Sequence, residues 1–188
     1  MNSKYIALFP AALLAGFLAS AQAADFDYNY VQVEYQDRDL DGLDGDAFRF
    51  SGSVDLGDRF NLLGSYATGE VTTGPWDLDF DELSLGIGFH APVADSTDVL
   101  ATLQAVSHDQ DAVGDDTGYR IGLGIRSQLA DNVELTAGVD YLDIYDRDDT
   151  TFTIGSRFYL NKVTSLGISY SSSSEDVETF SGGLRIDF

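Results

Sequence analysis

The stretch Tyr119-Arg120-Ile121-Gly122-Leu123-Gly124-Ile125-Arg126 decides the reading of this chain, because every second residue is apolar or aromatic and the residues between are glycine or arginine. Two is the period of a β-strand, whose successive side chains point to opposite faces. The same alternation runs through Ser51-Gly52-Ser53-Val54-Asp55-Leu56 and through Leu184-Arg185-Ile186-Asp187-Phe188. Ten such segments are expected, at 28–36, 46–56, 59–68, 79–90, 98–107, 117–129, 132–143, 150–160, 163–172 and 178–188. Most run to about ten residues, the length a tilted strand needs to cross a bilayer, whereas strands of soluble proteins average about five or six.

The connections divide into two kinds. Gly57-Asp58, Ala130-Asp131-Asn132 and Asn161-Lys162 read as tight turns, and residues 91–97 form a somewhat longer link containing Pro92. The other five, such as 37–45 and 69–78, read as longer polar loops. Short turns at one end, longer loops at the other and an even strand count describe a transmembrane antiparallel up-and-down β-barrel of the outer membrane. The expected fold is all-β with ten strands, eight being the alternative. A secreted β-sandwich, with the alternating apolar face as its core, is the competing fold.

Parity assigns the faces. Phe48, Phe50, Val54 and Leu56, or Leu83, Leu85, Ile87 and Phe89, belong to the set that should meet lipid. Glu34, Arg49, Glu82, Arg120, Arg126, Glu134, Asp140, Arg157, Arg185 and Asp187 all fall on the other parity. A charge on the lipid side near the bilayer centre would cost about 2–4 kcal/mol, so these ten should line the lumen. There they can pair, and Asp140, opposite Gly122, stands diagonal to Arg120. Tyr35, Phe48, Tyr66, Tyr119, Tyr141, Phe152, Tyr170 and Phe180 gather at the loop ends on the lipid parity. Phe60, Phe89, Phe158 and Phe188 gather at the turn ends, giving the two aromatic girdles of a bilayer-spanning wall.

Composition narrows the function. The 188 residues hold 32 acidic and 10 basic side chains, a formal net charge of −22 and a pI near 4.1, which disfavours nucleic acid as a partner. There is no cysteine, hence no disulfide, thiolate metal site, cysteine nucleophile or lipid-modified amino-terminal cysteine. At the start, Lys4, an apolar run from Tyr5 to Leu18 and the small-residue pattern ending at Ala23 read as a signal peptide over residues 1–23, with the barrel over 24–188.

The C-terminal strand, with Phe188 preceded at alternate positions by Ile186, Leu184 and Phe180, resembles the terminal signal by which the barrel assembly machinery recognises its clients. Tyr28-Asn29-Tyr30-Val31-Gln32-Val33-Glu34-Tyr35, Leu63-Gly64-Ser65-Tyr66 and the stretch from Leu83 to Pro92 resemble a small outer-membrane barrel family typified by xanthomonad proteins. OmpX-like and OmpA-like barrels are wider kin, usually with eight strands. The resemblance implies an outer-membrane location and transfers no site residue.

Twenty of the 32 carboxylates lie in or beside the five longer connections. Such a rim attracts cations over about a Debye length, roughly 8 Å at physiological salt. Within it, Asp37-Arg38-Asp39-Leu40-Asp41-Gly42 matches the opening half of a calcium loop, so Asp37, Asp39 and Asp41 are candidate ligands for loosely held Ca or Mg. The match stops there, since position 12, where a bidentate Glu belongs, is Phe48. No other cofactor is expected. His108 beside Asp109 is the single arrangement that could activate water, while His90 falls at the opposite end of its strand. No enzyme is expected. The function read from these residues is a structural or surface-interaction barrel whose partners are outer-membrane lipid, lipopolysaccharide and divalent cations. A small cation-preferring pore is the alternative, and a barrel-embedded hydrolase comes third.

Overall fold

A computed structural model describes residues 26–111 and 113–188. The segment 1–23, read as a signal peptide, lies outside the described residues. Ten antiparallel strands follow one another: β1 (Tyr30–Leu40), β2 (Asp44–Asp55), β3 (Phe60–Thr73), β4 (Trp76–Ala94), β5 (Thr97–Gln110), β6 (Gly114–Ala130), β7 (Val133–Ile144), β8 (Arg147–Tyr159), β9 (Thr164–Ser173) and β10 (Val177–Asp187). Each pairs with its sequence neighbours, and β1 also pairs with β10, Tyr30 opposite Asp187 and Leu40 opposite Val177. The sheet closes on itself, which satisfies every strand edge and removes the sandwich and the eight-stranded wall from consideration.

The wall is inside out relative to a soluble barrel. Along β4, Leu83, Leu85 and Ile87 are each more than half exposed while Ser84 between them is 1% exposed. All ten charges assigned by parity to the lumen point there. Small inward residues leave them room: Ser53, Ser84, Ser165 and Ser181 are buried. At Gly122 the space a side chain would need is taken by the Asp140 carboxylate and the Thr102 hydroxyl.

Both girdles form. Tyr35 packs edge-on against Phe48 with ring centroids 5.4 Å apart, Tyr119 lies 6.3 Å from Tyr141, and at the other end Phe60 meets Phe89 at 5.4 Å.

The five longer loops do not exist as loops. Residues 37–45 and 69–78 are mostly paired strand, and the chain reverses at 41–43, 74–75, 145–146 and 174–176 and between β5 and β6. The cause lies in a polarity inversion above the girdle. There most carboxylates take the outer parity, now in water, and apolar residues take the inner one: Ala47, Val71 and Phe80 form a buried cluster, with Leu40 half-buried against it, that fastens four strands from inside. Asp and Gly composition suggested loops, yet period 2 continues through them. At the other end the Pro92 link is likewise strand, with a register shift between Pro92 and Ala94 where proline cannot donate to the ladder.

Candidate functional site: the lumen and its two mouths

Two cavities of about 370 Å³ and 520 Å³ fill the bore. They share Glu34, Arg49, Asp140 and Arg157 in their linings, so polar space continues through the middle of the barrel.

The layer toward the acidic mouth is built on Glu82 of β4. Its carboxylate receives Arg120 Nη2 at 2.9 Å and Nη1 at 3.2 Å, and Arg49 Nη2 at 3.1 Å. Arg49 and Glu82 are two strands apart, and the residue between them in register is Ala67, fully buried and short enough to let the ion pair pass over it. Arg120 reaches Glu82 from the other side across β5. The expected diagonal pair of Arg120 with Asp140 is therefore not the one formed: Glu82 offers both oxygens to the fork of the guanidinium, the stronger geometry. Asp140 and Glu34 enter no ion pair among the described residues, and Arg157 bonds to the neutral Gln32 Oε1 at 2.6 Å and Ser165 Oγ at 3.2 Å.

Arg38, read from sequence as part of a loop, is a lumen residue. Its guanidinium carbon lies 4.8 Å over the Phe80 ring and its Nη2 donates to Gln36 Oε1. Reading Gln32, Glu34, Gln36 and Arg38 as one continuous inner parity would have found it. At the same end Tyr145, in the turn after β7, lines a further cavity of about 460 Å³ together with His108 and Arg147. Tyr145 and Asp146 adopt φ of 57° and 54°, the left-handed pair of a tight hairpin turn. The Tyr145 hydroxyl donates to the Gly114 carbonyl at 2.7 Å and sits 3.3 Å from His108 Nδ1. Burial and the nearby Asp116 carboxylate push the Tyr145 phenol above its ordinary range. His108 faces inward between Phe80 and Tyr145, whereas Asp109 faces out, so the sequence-adjacent His/Asp pair is split between the two sides of the wall.

The layer at the end where Phe26 and Phe188 lie is denser. Arg126 Nη2 meets Glu134 Oε2 at 2.8 Å, the Tyr159 hydroxyl donates to the same carboxylate at 2.9 Å, and Arg185 pairs with Asp187. His90 lies here, far from His108, with Asp55 and Asp98 each 4.0 Å away.

The rim carboxylates form ordered rows on the outer wall. Asp37 stands opposite Asp46, Asp46 opposite Glu70, and Glu70 opposite Asp79. Asp81, Asp109 and Asp115 form a second row. Girdle tyrosines tie into the rim, Tyr66 donating to Asp81 at 2.6 Å and Tyr119 to Asp143 at 3.2 Å. Of the calcium-loop candidates, Asp37 and Asp39 are on the outer face of β1 and Asp41 is in the turn at φ 54°. Asp39 accepts the Gly42 N–H at 2.7 Å, a turn-capping role. Among the described residues no three carboxylate or imidazole groups converge as a metal site.

A closed wall with an apolar exterior, two aromatic girdles and a charged, hydrated bore defines an integral outer-membrane β-barrel. Residues 9–158 match the outer membrane protein beta-barrel domain, and the chain belongs to that family. The match is to the broad family and does not extend to the narrower xanthomonad resemblance. No curated protein matches the sequence. Among solved structures, the KdgM porin in complex with disordered oligogalacturonate is 13% identical, with a TM-score of 0.55 over 84% of this chain and 99% of that one. The beta domain of the Bordetella autotransporter BrkA is 10% identical, with a TM-score of 0.57 over 87% of this chain and all of that one. At these identities the likeness is one of fold.

Proposed function

We propose that the barrel is a narrow, gated pore of the outer membrane that favours small cations. The observation that carries this is the continuous polar bore, in which Glu34 and Asp140 stand without ion-pair partners, among the described residues, between the Glu82 layer and the Arg126–Glu134 layer. The rim supports the sign. Twenty carboxylates crowd one mouth, against Arg38 and Arg147 at the same end, so the local potential enriches cations and repels anions before they reach the bore. Inside, a cation shedding part of its hydration would find Glu34 and Asp140 as successive oxygen donors, and the serine and threonine hydroxyls as lining. The test is current across a planar bilayer under a KCl gradient. A reversal potential of cation sign that weakens at high salt supports the pore; a reversal potential of anion sign overturns it.

A second reading, a non-conducting surface barrel, is favoured by the rows of opposed carboxylates. In it the rim, Asp37, Asp39 and Asp41 included, would hold Ca or Mg loosely and bridge to lipopolysaccharide phosphates. In either reading the strand ending in Phe188 would engage the assembly machinery during insertion.

A further inference from the structure

We infer that residues 26–29 form a latch that closes the terminal end of the bore and must leave it for that end to open. This inference rests on the pore reading for its purpose, not for its geometry. β1 begins at Tyr30, and Asn29 still holds the wall through its carbonyl, which accepts the Phe188 N–H at 3.1 Å. The residues before Asn29 turn inward, Tyr28 onto His90 and the Asp27 carbonyl onto two lumen arginines. Asn29 is the hinge: its side chain bonds Asp55 at the wall edge in both directions, Nδ2 to the carboxylate at 3.0 Å and Oδ1 from the Asp55 N–H at 2.9 Å.

Beyond the hinge the chain is gripped from several strands. The Asp27 carbonyl oxygen accepts Arg126 Nη1 of β6 at 2.9 Å and Arg185 Nη2 of β10 at 2.7 Å. Tyr28 lies flat on His90 of β4, centroids 3.7 Å apart and planes at 19°, and its hydroxyl donates to Asp98 of β5 at 2.7 Å. The Arg126 guanidinium carbon is 4.6 Å over the Phe26 ring and 5.1 Å over the Tyr28 ring. Tyr28 is 6% exposed although it belongs to no strand. Burial and the Asp98 carboxylate push its phenol far above the ordinary range, so it holds its proton and donates at any physiological pH.

Two features mark this as a seat and not as part of the wall. The β1 to β10 ladder runs from Tyr30 to Leu40 and is extended by the Phe188 N–H donating to the Asn29 carbonyl at 3.1 Å, so the barrel closes without residues 26–28, and lifting them away from the Asn29 hinge breaks no strand pairing. Their partners also remain satisfied in part when they leave, since Arg126 keeps Glu134 and Arg185 keeps Asp187. The latch is thus a separable unit, held by a few polar contacts and one ring stack against the entropy of ordering four residues.

The chain lacks cysteine, which makes thiol accessibility a direct readout. Leu100, in register with His90, lines the cavity behind the latch. Leu100→Cys in the full-length barrel is labelled with a water-soluble maleimide, alone and combined with Tyr28→Ala or Tyr28→Phe, with heat-modifiable gel migration confirming a folded wall. The latch predicts labelling roughly tenfold faster with Tyr28→Phe, which loses one hydrogen bond to a charged group while keeping the ring, and faster again with Tyr28→Ala. Equal labelling rates in all three folded proteins overturn it. Single-channel recording of the same variants separates the two proposals. Current that appears or rises with Tyr28→Ala supports both, whereas fast labelling with no current from any variant keeps the latch and sinks the pore.

Discussion

Glu82 is the residue on which the outer layer of the bore turns, and its removal should cost more than removal of either guanidinium bound to it. With Glu82→Gln, Arg49 and Arg120 face each other, with Arg38 nearby, and lose their shared carboxylate; with Arg120→Gln, Glu82 still has Arg49. Breaking a buried pair on one side costs about 3–5 kcal/mol, and a hydrated bore places this case at about 3 kcal/mol. Unfolding in detergent should rank Glu82→Gln as the more destabilising change, and the double variant Glu82→Gln with Arg49→Gln should recover part of the loss. Equal effects would mean the layer is not organised around Glu82. This partnership was not legible in the sequence. Parity told which side each charge faces, and did so for all ten. The partner of Arg120 depended instead on how far a side chain spans two strands, which rests on Ala67 being short. Tyr28 was invisible for another reason: it was read as the start of a strand, and nothing local marks a tyrosine that leaves the wall for the bore.

Strands and their registers were legible wherever one face meets lipid, because a one-residue slip would turn charges into hydrocarbon. They are hidden above the girdle, where apolar residues such as Val71 and Phe80 occupy the inner parity and Asp-rich composition imitates a loop. That region has an energetic consequence. Directly opposed like charges destabilise a sheet pair by a few tenths to about 1 kcal/mol, and Asp37, Asp46, Glu70 and Asp79 form an unbroken row of them across four strands. The hairpins above the girdle should therefore stiffen with salt. Raising NaCl from about 10 mM to about 1 M shortens the screening length from about 30 Å to about 3 Å. Protection of the β1–β2 and β3–β4 tips against protease should rise accordingly. Asp46→Asn should give much of that protection at low salt and little more at high salt. A salt response that Asp46→Asn leaves unaltered would place the repulsion elsewhere.

At the scale of the molecule, charge is sorted along one axis: both signs in the bore, none facing the lipid band, and acidic at the mouth opposite Tyr28 and Phe188. An orientation follows. Short turns belong on the periplasmic side of an outer-membrane barrel and the taller hairpins outside, which would set the carboxylate rows among the lipopolysaccharide head groups and give the periplasm the mouth that residues 26–29 occupy. Trp76, at the tip of the tallest hairpin, is 71% exposed, and Asn161 lies in the turn between β8 and β9 at the other end. In a chain without native thiols, Trp76→Cys should react with a membrane-impermeant maleimide on intact cells. Asn161→Cys should react only after the outer membrane is permeabilised. The reverse pattern would turn the barrel over, placing the acidic vestibule in the periplasm and the latch at the surface. The cation preference would survive that outcome, being a property of the bore and rim, but the side from which cations are gathered would change with it.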